Sequence, residues 1–280
     1  MSNIQAERRE DTNRMATLAN LAMFGREGTE KYIERAPHLK HPRLRQLYAE
    51  LVRRIFNEAK QYAEVPTVLD LGAGEGSAML PFLELGGRVT AVDISESQLA
   101  TLVAKCRQFG DRLEVRQEEI SQILRRKEVT YDVVVMNSFL HHIPDYLSVI
   151  REAISVLRPH GQFFSFQDPL RYDTLGRGTW FFSNLSYFWW RIFQGNYVQG
   201  LKTRIRRIRG IYVAGSKEDD AEYHVTRNGV DQNAIASLLQ SEGFTSSVVR
   251  YFSTQSRAFQ VLGAFLGVEN TFAMIAQRIK

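Results

Sequence analysis

The stretch VLDLGAGEG at 68–76 restricts the possible fold more than any other part of the chain. Its apolar run reads as a buried strand, and Gly72, Gly74 and Gly76 turn the chain sharply where the strand ends. Glycines in such a turn permit positive φ and let a ligand approach the backbone closely. The same pattern returns downstream. GRVTAVDIS (87–95), RLEVRQ (112–117), YDVVVMNS (131–138) and GQFFSFQDP (161–169) read as strands, with helices from Glu96 and across DYLSVIREAISVL. Strands alternating with helices imply βαβ units, and therefore a mainly parallel, Rossmann-like α/β sheet with helices on both faces. DQNAIASLLQSEG (231–243) reads as a further helix, and FTSSVVRYF and TFAMIAQRI as closing strands, which brings the sheet to seven.

Three regions follow. Residues 1–63 read as an N-terminal helical cap, in which Leu44, Leu47, Tyr48, Leu51, Val52, Ile55 and Phe56 form an amphipathic stripe. Residues 64–170 and 216–280 form the core. Between them, 171–215 reads as a lid inserted after the fifth strand. Nine of the 19 residues from 180 to 198 are aromatic, including all three tryptophans, Trp180, Trp189 and Trp190. Such rings need burial, either against the sheet edge or over an apolar acceptor, and the position after the fifth strand favours the lid.

The charge is equally local. The whole chain carries +5, yet 171–215 holds eight Lys and Arg against one acid, Asp173, so the rest is slightly acidic. LKTRIRRIRGIY sets Leu201, Ile205, Ile208 and Tyr212 on one helical stripe, with Lys202, Arg204, Arg206, Arg207 and Arg209 around it. A basic amphipathic helix of this kind suits an anionic membrane surface over 201–212, an acidic substrate, or simply water. The longest uncharged aromatic run, 13 residues from 178 to 190, falls short of the about 20 that a membrane span needs. A charged N-terminus without a secretory core and a single cysteine, Cys106, point to the cytosol, peripheral to a membrane at most.

Asp93 ends the second strand seventeen residues after Gly76, placed to accept hydrogen bonds from a ribose diol, and Asp70 precedes the glycine turn. The third glycine comes too early for the dinucleotide fingerprint, and no Gly-Lys-Ser/Thr follows. Nicotinamide cofactors and Walker-type phosphate loops are therefore disfavoured.

Taken in order, VLDLGAGEG, AVDIS, YDVVVMNSFLHHIPD and SVLRPHG resemble the motifs of class I S-adenosylmethionine-dependent methyltransferases. They look most like the small-molecule branch, which includes sugar O-methyltransferases and quinone-biosynthesis C-methyltransferases. The resemblance covers about 64–170 and the last two strands. It implies that Gly72, Ala73 and Gly74 pass under the methionine part of S-adenosylmethionine. It further implies that Asp93 binds the ribose, Ile94 packs on the adenine, and the Asn137 carbonyl meets the methionine amino group. Glu119 and Ile120 fall where the family has an Asp and an apolar residue beside the adenine, although Glu118-Glu119 replaces the usual Gly-Asp. His160 replaces a usual glycine. Tyr32 either closes over the cofactor or packs between helices.

Transfer needs an acceptor with a free lone pair, and histidine titrates near working pH, so His141 and His142 are candidate bases. Asp168 opens on the same sheet edge, and some sugar O-methyltransferases resembling this chain pair a His with an Asp there. The His-His-Ile-Pro turn also suits a purely structural role, capping the strand and the following helix. His224 is a weaker candidate, His38 and His41 read as solvated linker residues, and no metal site is implied. The expected function is methyl transfer to a small, fairly apolar acceptor: a secondary metabolite, quinone, lipid or glycoside. RNA or protein methylation through the basic helix, and cofactor binding without transfer, are the alternatives. Nucleic acid is disfavoured because the fourth strand lacks an Asn/Asp-Pro-Pro-aromatic motif.

Overall fold

The computed structural model describes residues 12, 15–19, 36–126, 129–192, 206, 207, 209, 211–213 and 223–279. Its sheet comprises β1 (Thr67–Leu71), β2 (Arg88–Asp93), β3 (Leu113–Gln117), β4 (Tyr131–Asn137), β5 (Leu157–Pro169), β6 (Phe244–Tyr251) and β7 (Thr271–Arg278). Strand order is β3-β2-β1-β4-β5-β7-β6. All pairings are parallel except those of β7, which runs antiparallel to both β5 and β6. Winding reverses between β1 and β4, so the chain leaves a crevice at their carboxyl ends.

Each sheet face has its own core. On one, α2 (Pro42–Ala59) buries Leu44, Tyr48, Leu51, Val52, Ile55 and Phe56 against the sheet, beside α3 (Leu80–Glu84) and α4 (Glu96–Lys105). The heptad-like spacing of α2 explains this, because positions three and four apart share one side of a helix. Gln162 of β5 is fully buried and donates to the Ile55 carbonyl at 2.8 Å, which ties α2 to the sheet. On the other face, α5 (Ile120–Arg126), α6 (Tyr146–Ser155) and α9 (Gln232–Ser241) pack Leu124, Ile150, Ile154, Ile235 and Leu239 onto β4 and β5. Cys106 lies in the first core, as expected.

Several expectations need correction. The short helix α1 (Pro37–Lys40) precedes α2, and His38 and His41 on either end of it are buried rather than solvated. The His41 ring bonds the Thr254 carbonyl at 2.8 Å, so the supposed linker is packed against the far side of the sheet edge. The aromatic segment forms α7 (Arg177–Ile192), yet most of its rings face water instead of a core. Of the basic stretch, Leu201, Lys202, Arg204, Ile205 and Ile208 lie outside the described residues; Arg206 and Arg207 are helical, and Tyr212 is not. Tyr212 instead lies under the Arg227 guanidinium, 4.8 Å from the ring centre. A helix between β6 and β7, α10 (Arg257–Phe265), is additional to the elements read from sequence. No described helix is long and apolar enough to cross a membrane.

Candidate cofactor and catalytic site

The glycine loop is held by the strand beside it. Gly72 and Ala73 donate to the Val92 carbonyl at 2.9 and 3.0 Å, and Gly74 donates to Asp93 Oδ2 at 2.8 Å. Gly72 has φ +79°, and a Cβ there would sit 2.4 Å from the Phe139 ring, so only glycine fits. At Gly74 a Cβ would meet nothing within 4 Å, which leaves space over the backbone. Asp93 also accepts from Ser95 N–H at 2.9 Å. Burial raises its pKa, and the backbone donors act in the opposite direction. Each carboxylate oxygen keeps a second lone pair, so this bracing leaves Asp93 able to take hydroxyl donors.

Around the loop stand buried polar atoms without partners. Asp70 is 1% exposed, and neither of its oxygens has a hydrogen-bond partner. Burial, reinforced by the nearby Asp93, pushes its pKa up to about 7. Asn137 Oδ1 and His38 Nδ1 are likewise unpartnered. The Asn137 amide nitrogen lies 3.2 Å from His38 Nε2; an NH₂ only donates, so that ring nitrogen accepts and Nδ1 carries the hydrogen. Burial, then the neighbouring His141, lowers the His38 pKa to about 3 and keeps the ring neutral. His38, Gly72, Ala73, Ser77 and Asn137 line one cleft. An unmet buried polar group costs roughly 1–3 kcal/mol, so several together mark a place where a polar ligand completes the structure.

A second cluster lies at the end of β5. The turn at Leu140–His142 places His141 so that its backbone N–H and its Nδ1 reach Asp168 Oδ1, at 3.1 and 2.8 Å. Asp168 is 0% exposed, turned inward by a bulge at Gln167, whose φ is +71°. Tyr251 Oη accepts from Gln167 N–H at 2.9 Å and Ser253 holds its amide at 2.6 Å, and these bonds offset the strain of that backbone. With Nδ1–H donated to Asp168, His141 Nε2 carries the free lone pair. Burial pushes the Asp168 pKa up to about 7 and His141 down to about 3. Desolvation opposes both charges, so the pair takes up one proton as a unit near neutrality.

Other candidates separate clearly. His142 is partly exposed, its ring 4.0 Å from that of His141. His224 Nε2, on the short helix α8 (Tyr223–Thr226), donates to the carbonyls of Ile143 and Pro144, at 2.9 and 3.3 Å, and so fastens the turn. Ile94 is half-buried beside Asp93; Glu119 is exposed, and Ile120 packs into the second core. Glu118 donates its N–H to the Asp93 carbonyl at 3.2 Å and pairs with Arg126. His160 has φ +63°, the conformation a glycine would supply, and stacks on Tyr62 at 4.4 Å. Tyr32 lies outside the described residues. His38 is the site residue that sequence reasoning missed: a four-residue helix has no period to reveal its buried side.

Residues 68–161 match the family model described as a methyltransferase domain. Ubiquinone biosynthesis O-methyltransferase of Pseudomonas paraeruginosa is 34% identical over 98 residues, 35% of this chain and 42% of that protein. The enzyme of the same name from Marinobacter nauticus is 35% identical over 98 residues, 34% of this chain and 41% of its own length. The chain thus spans less than half the length of these relatives. Among solved structures, 1,6-didemethyltoxoflavin-N1-methyltransferase of Burkholderia thailandensis, bound to 1,6-didemethyltoxoflavin and S-adenosylhomocysteine, superposes with TM-score 0.54 at 19% identity. That likeness covers 97% of this chain and 91% of that one. An N-methyltransferase of Bradyrhizobium japonicum with S-adenosylhomocysteine gives 0.53 at 11% identity, over 96% and 99%. At such identities the agreement is one of fold. The matched stretch contains the glycine loop, Asp93, Asn137 and His141, whereas His38, Asp168 and α7 lie beyond it.

Proposed function

We propose that the protein is an S-adenosylmethionine-dependent methyltransferase of a small, fairly apolar acceptor. The observation that carries this reading is the set of unpartnered polar atoms around the glycine loop. Asp70 and Asn137 Oδ1 offer acceptors and His38 Nδ1–H a donor, which together complement the ammonium and carboxylate of an amino acid. Gly72, Ala73 and Gly74 would pass beneath that end of the cofactor, Asp93 would take the ribose hydroxyls, and Ile94 and Ile120 would flank the adenine, with Glu119 at its rim.

When bound, the cofactor supplies a methyl group on a sulfonium centre. The chain's own contribution is positioning and proton transfer. His141 Nε2 takes the proton of an acceptor hydroxyl or amine, and Asp168 fixes the ring tautomer and stabilises the charge that forms. This dyad favours transfer over cofactor binding alone. In the same proposal 1–63 is a cap, 64–170 and 216–280 the core, and 171–215 a lid bearing on the acceptor, with 201–212 meeting an anionic surface. The protein would work in the cytosol and touch membranes from outside.

The test is a transfer assay with methyl-labelled S-adenosylmethionine against quinols, flavonoid-like phenols and heteroaromatic amines. Label should enter one of these classes, and His141→Ala should lower turnover by about 10²–10⁴-fold with unchanged S-adenosylhomocysteine affinity. Full turnover in that variant would remove the base from the mechanism.

A further inference from the structure

Within the proposed lid, α7 packs beside α10, and the two form a ledge beside the β6–β7 end of the sheet. The inner side of α7 is narrow. Phe182 lies 5.5 Å from both Phe252 and Phe259, Ser183 accepts from Asn270 at 3.3 Å, and buried Ser186 bonds the Thr254 hydroxyl. Trp189 reaches Phe259 of α10 at 6.3 Å, so the two helices are neighbours. α10 is pressed against the same support, since a Cβ on Gly263 would fall 2.3 Å from the Phe252 ring. The ledge is therefore seated in one orientation, and its outward side is defined.

That outward side is apolar. Phe181, Leu185 and Phe188 recur along α7 at spacings of four and three, and Val261, Phe265 and Leu266 stand out from α10. Phe181 is 63% exposed and Phe265 83% exposed. Single exposed apolar residues are ordinary; two adjacent helices presenting them together mark an interaction surface. The charges carried by the two helices themselves have one sign, with exposed Asp173 and Glu269 flanking them in sequence. Residues 177–192 and 257–267 contain Arg177, Arg191 and Arg257 and no Asp or Glu. Aromatic rings on helices whose own charges are all basic complement a hydrocarbon layer beneath anionic headgroups, where Trp and Tyr also prefer to sit.

We propose that the α7–α10 ledge docks the protein onto an anionic lipid surface. The docking is independent of any transfer reaction. It also has a route to the site. Thr254, on which Ser186 rests, offers its carbonyl to His41, at the end of the helix that carries His38. A ledge on the bilayer thus holds the cleft one packed segment away from a lipid-dissolved acceptor.

The experiment is flotation of the full chain with phosphatidylcholine vesicles, with and without about 30% phosphatidylglycerol, at 50 and 500 mM salt. Wild type should float with anionic vesicles at low salt, at least about tenfold less with neutral vesicles, and less again at high salt. Phe181→Glu with Phe265→Glu replaces two exposed rings and should cut flotation at least about tenfold. S-adenosylhomocysteine affinity and thermal unfolding, measured on the same variant, should not change. Wild type that stays unbound at low salt, or a double variant that floats like wild type, overturns the proposal. A dimer by light scattering that the double variant dissolves, in a chain that ignores vesicles, would make a second copy the occupant instead. Loss of transfer activity with vesicle binding intact would fault the enzymatic reading alone.

Discussion

The crevice at the carboxyl edge and the α7–α10 ledge break the usual pattern of burial in opposite directions. At the crevice, carboxylates and imidazoles are buried: Asp70, Asp168, His38 and His141. On the ledge, Trp180, Phe181, Phe188 and Phe265 are exposed. Each inversion costs free energy in the isolated chain, through unmet hydrogen bonds in one case and hydrated rings in the other. Both costs fall when the matching partner arrives, and the two partners differ accordingly: a polar, zwitterionic small molecule for the crevice, an apolar layer with negative charge for the ledge.

The largest effect that would sharpen this contrast is in catalysis. When the proton of the His141–Asp168 pair lies between Asp168 Oδ1 and His141 Nδ1 and the ring carries hydrogen on Nε2, the base is silent. Turnover should therefore rise with pH through about 7, where burial places Asp168, and level off above it. A rate flat from pH 5 to 9 would break the link between burial and base.

Next comes a stability effect with a definite sign. The Asp70 pKa is raised to about 7 from 3.8, so the folded chain holds a proton there that the unfolded chain releases. The stability this contributes is intact below about pH 4 and is lost as pH rises through 7, up to about 4 kcal/mol. Asp70→Asn removes that loss. Its amide donors lack partners, so the net gain in urea unfolding should be about 1–2 kcal/mol at pH 8 and nothing at pH 5. The same variant should bind S-adenosylhomocysteine at least about tenfold more weakly, which separates the site's function from its cost. An effect on stability alone belongs to the ledge: Gly263→Ala crowds Phe252 and should cost about 1–3 kcal/mol while leaving cofactor affinity untouched.

Much of the sheet could be read in advance because its signals are local and periodic. The strand-turn at 68–76, the apolar run at 131–137 and the stripe on α2 each announce their element within a few residues. Asp93, Asn137, His141 and Asp168 could be placed because each ends a strand or starts the turn after one, and parallel strands bring those ends together. His38 could not, since its burial depends on contacts with Asn137, 99 positions away in sequence. The inward aim of Asp168 depends on the bulge at Gln167, a non-glycine residue in a left-handed conformation that no composition rule announces. The exposure of α7 was hidden for the opposite reason: a run of aromatics calls for cover, by an acceptor or by the sheet edge, until the packing shows that only one narrow side is covered.

The central claim is that the buried, unpartnered groups of the crevice form the cofactor's seat. Calorimetric titration of S-adenosylhomocysteine into the full chain tests it most directly, comparing wild type with Asp93→Ala and His38→Ala. The account predicts saturable one-to-one binding, weakened about 10–100-fold without the Asp93 carboxylate and about tenfold without the His38 donor. Absence of binding by wild type, or affinities unchanged in both variants, would contradict it.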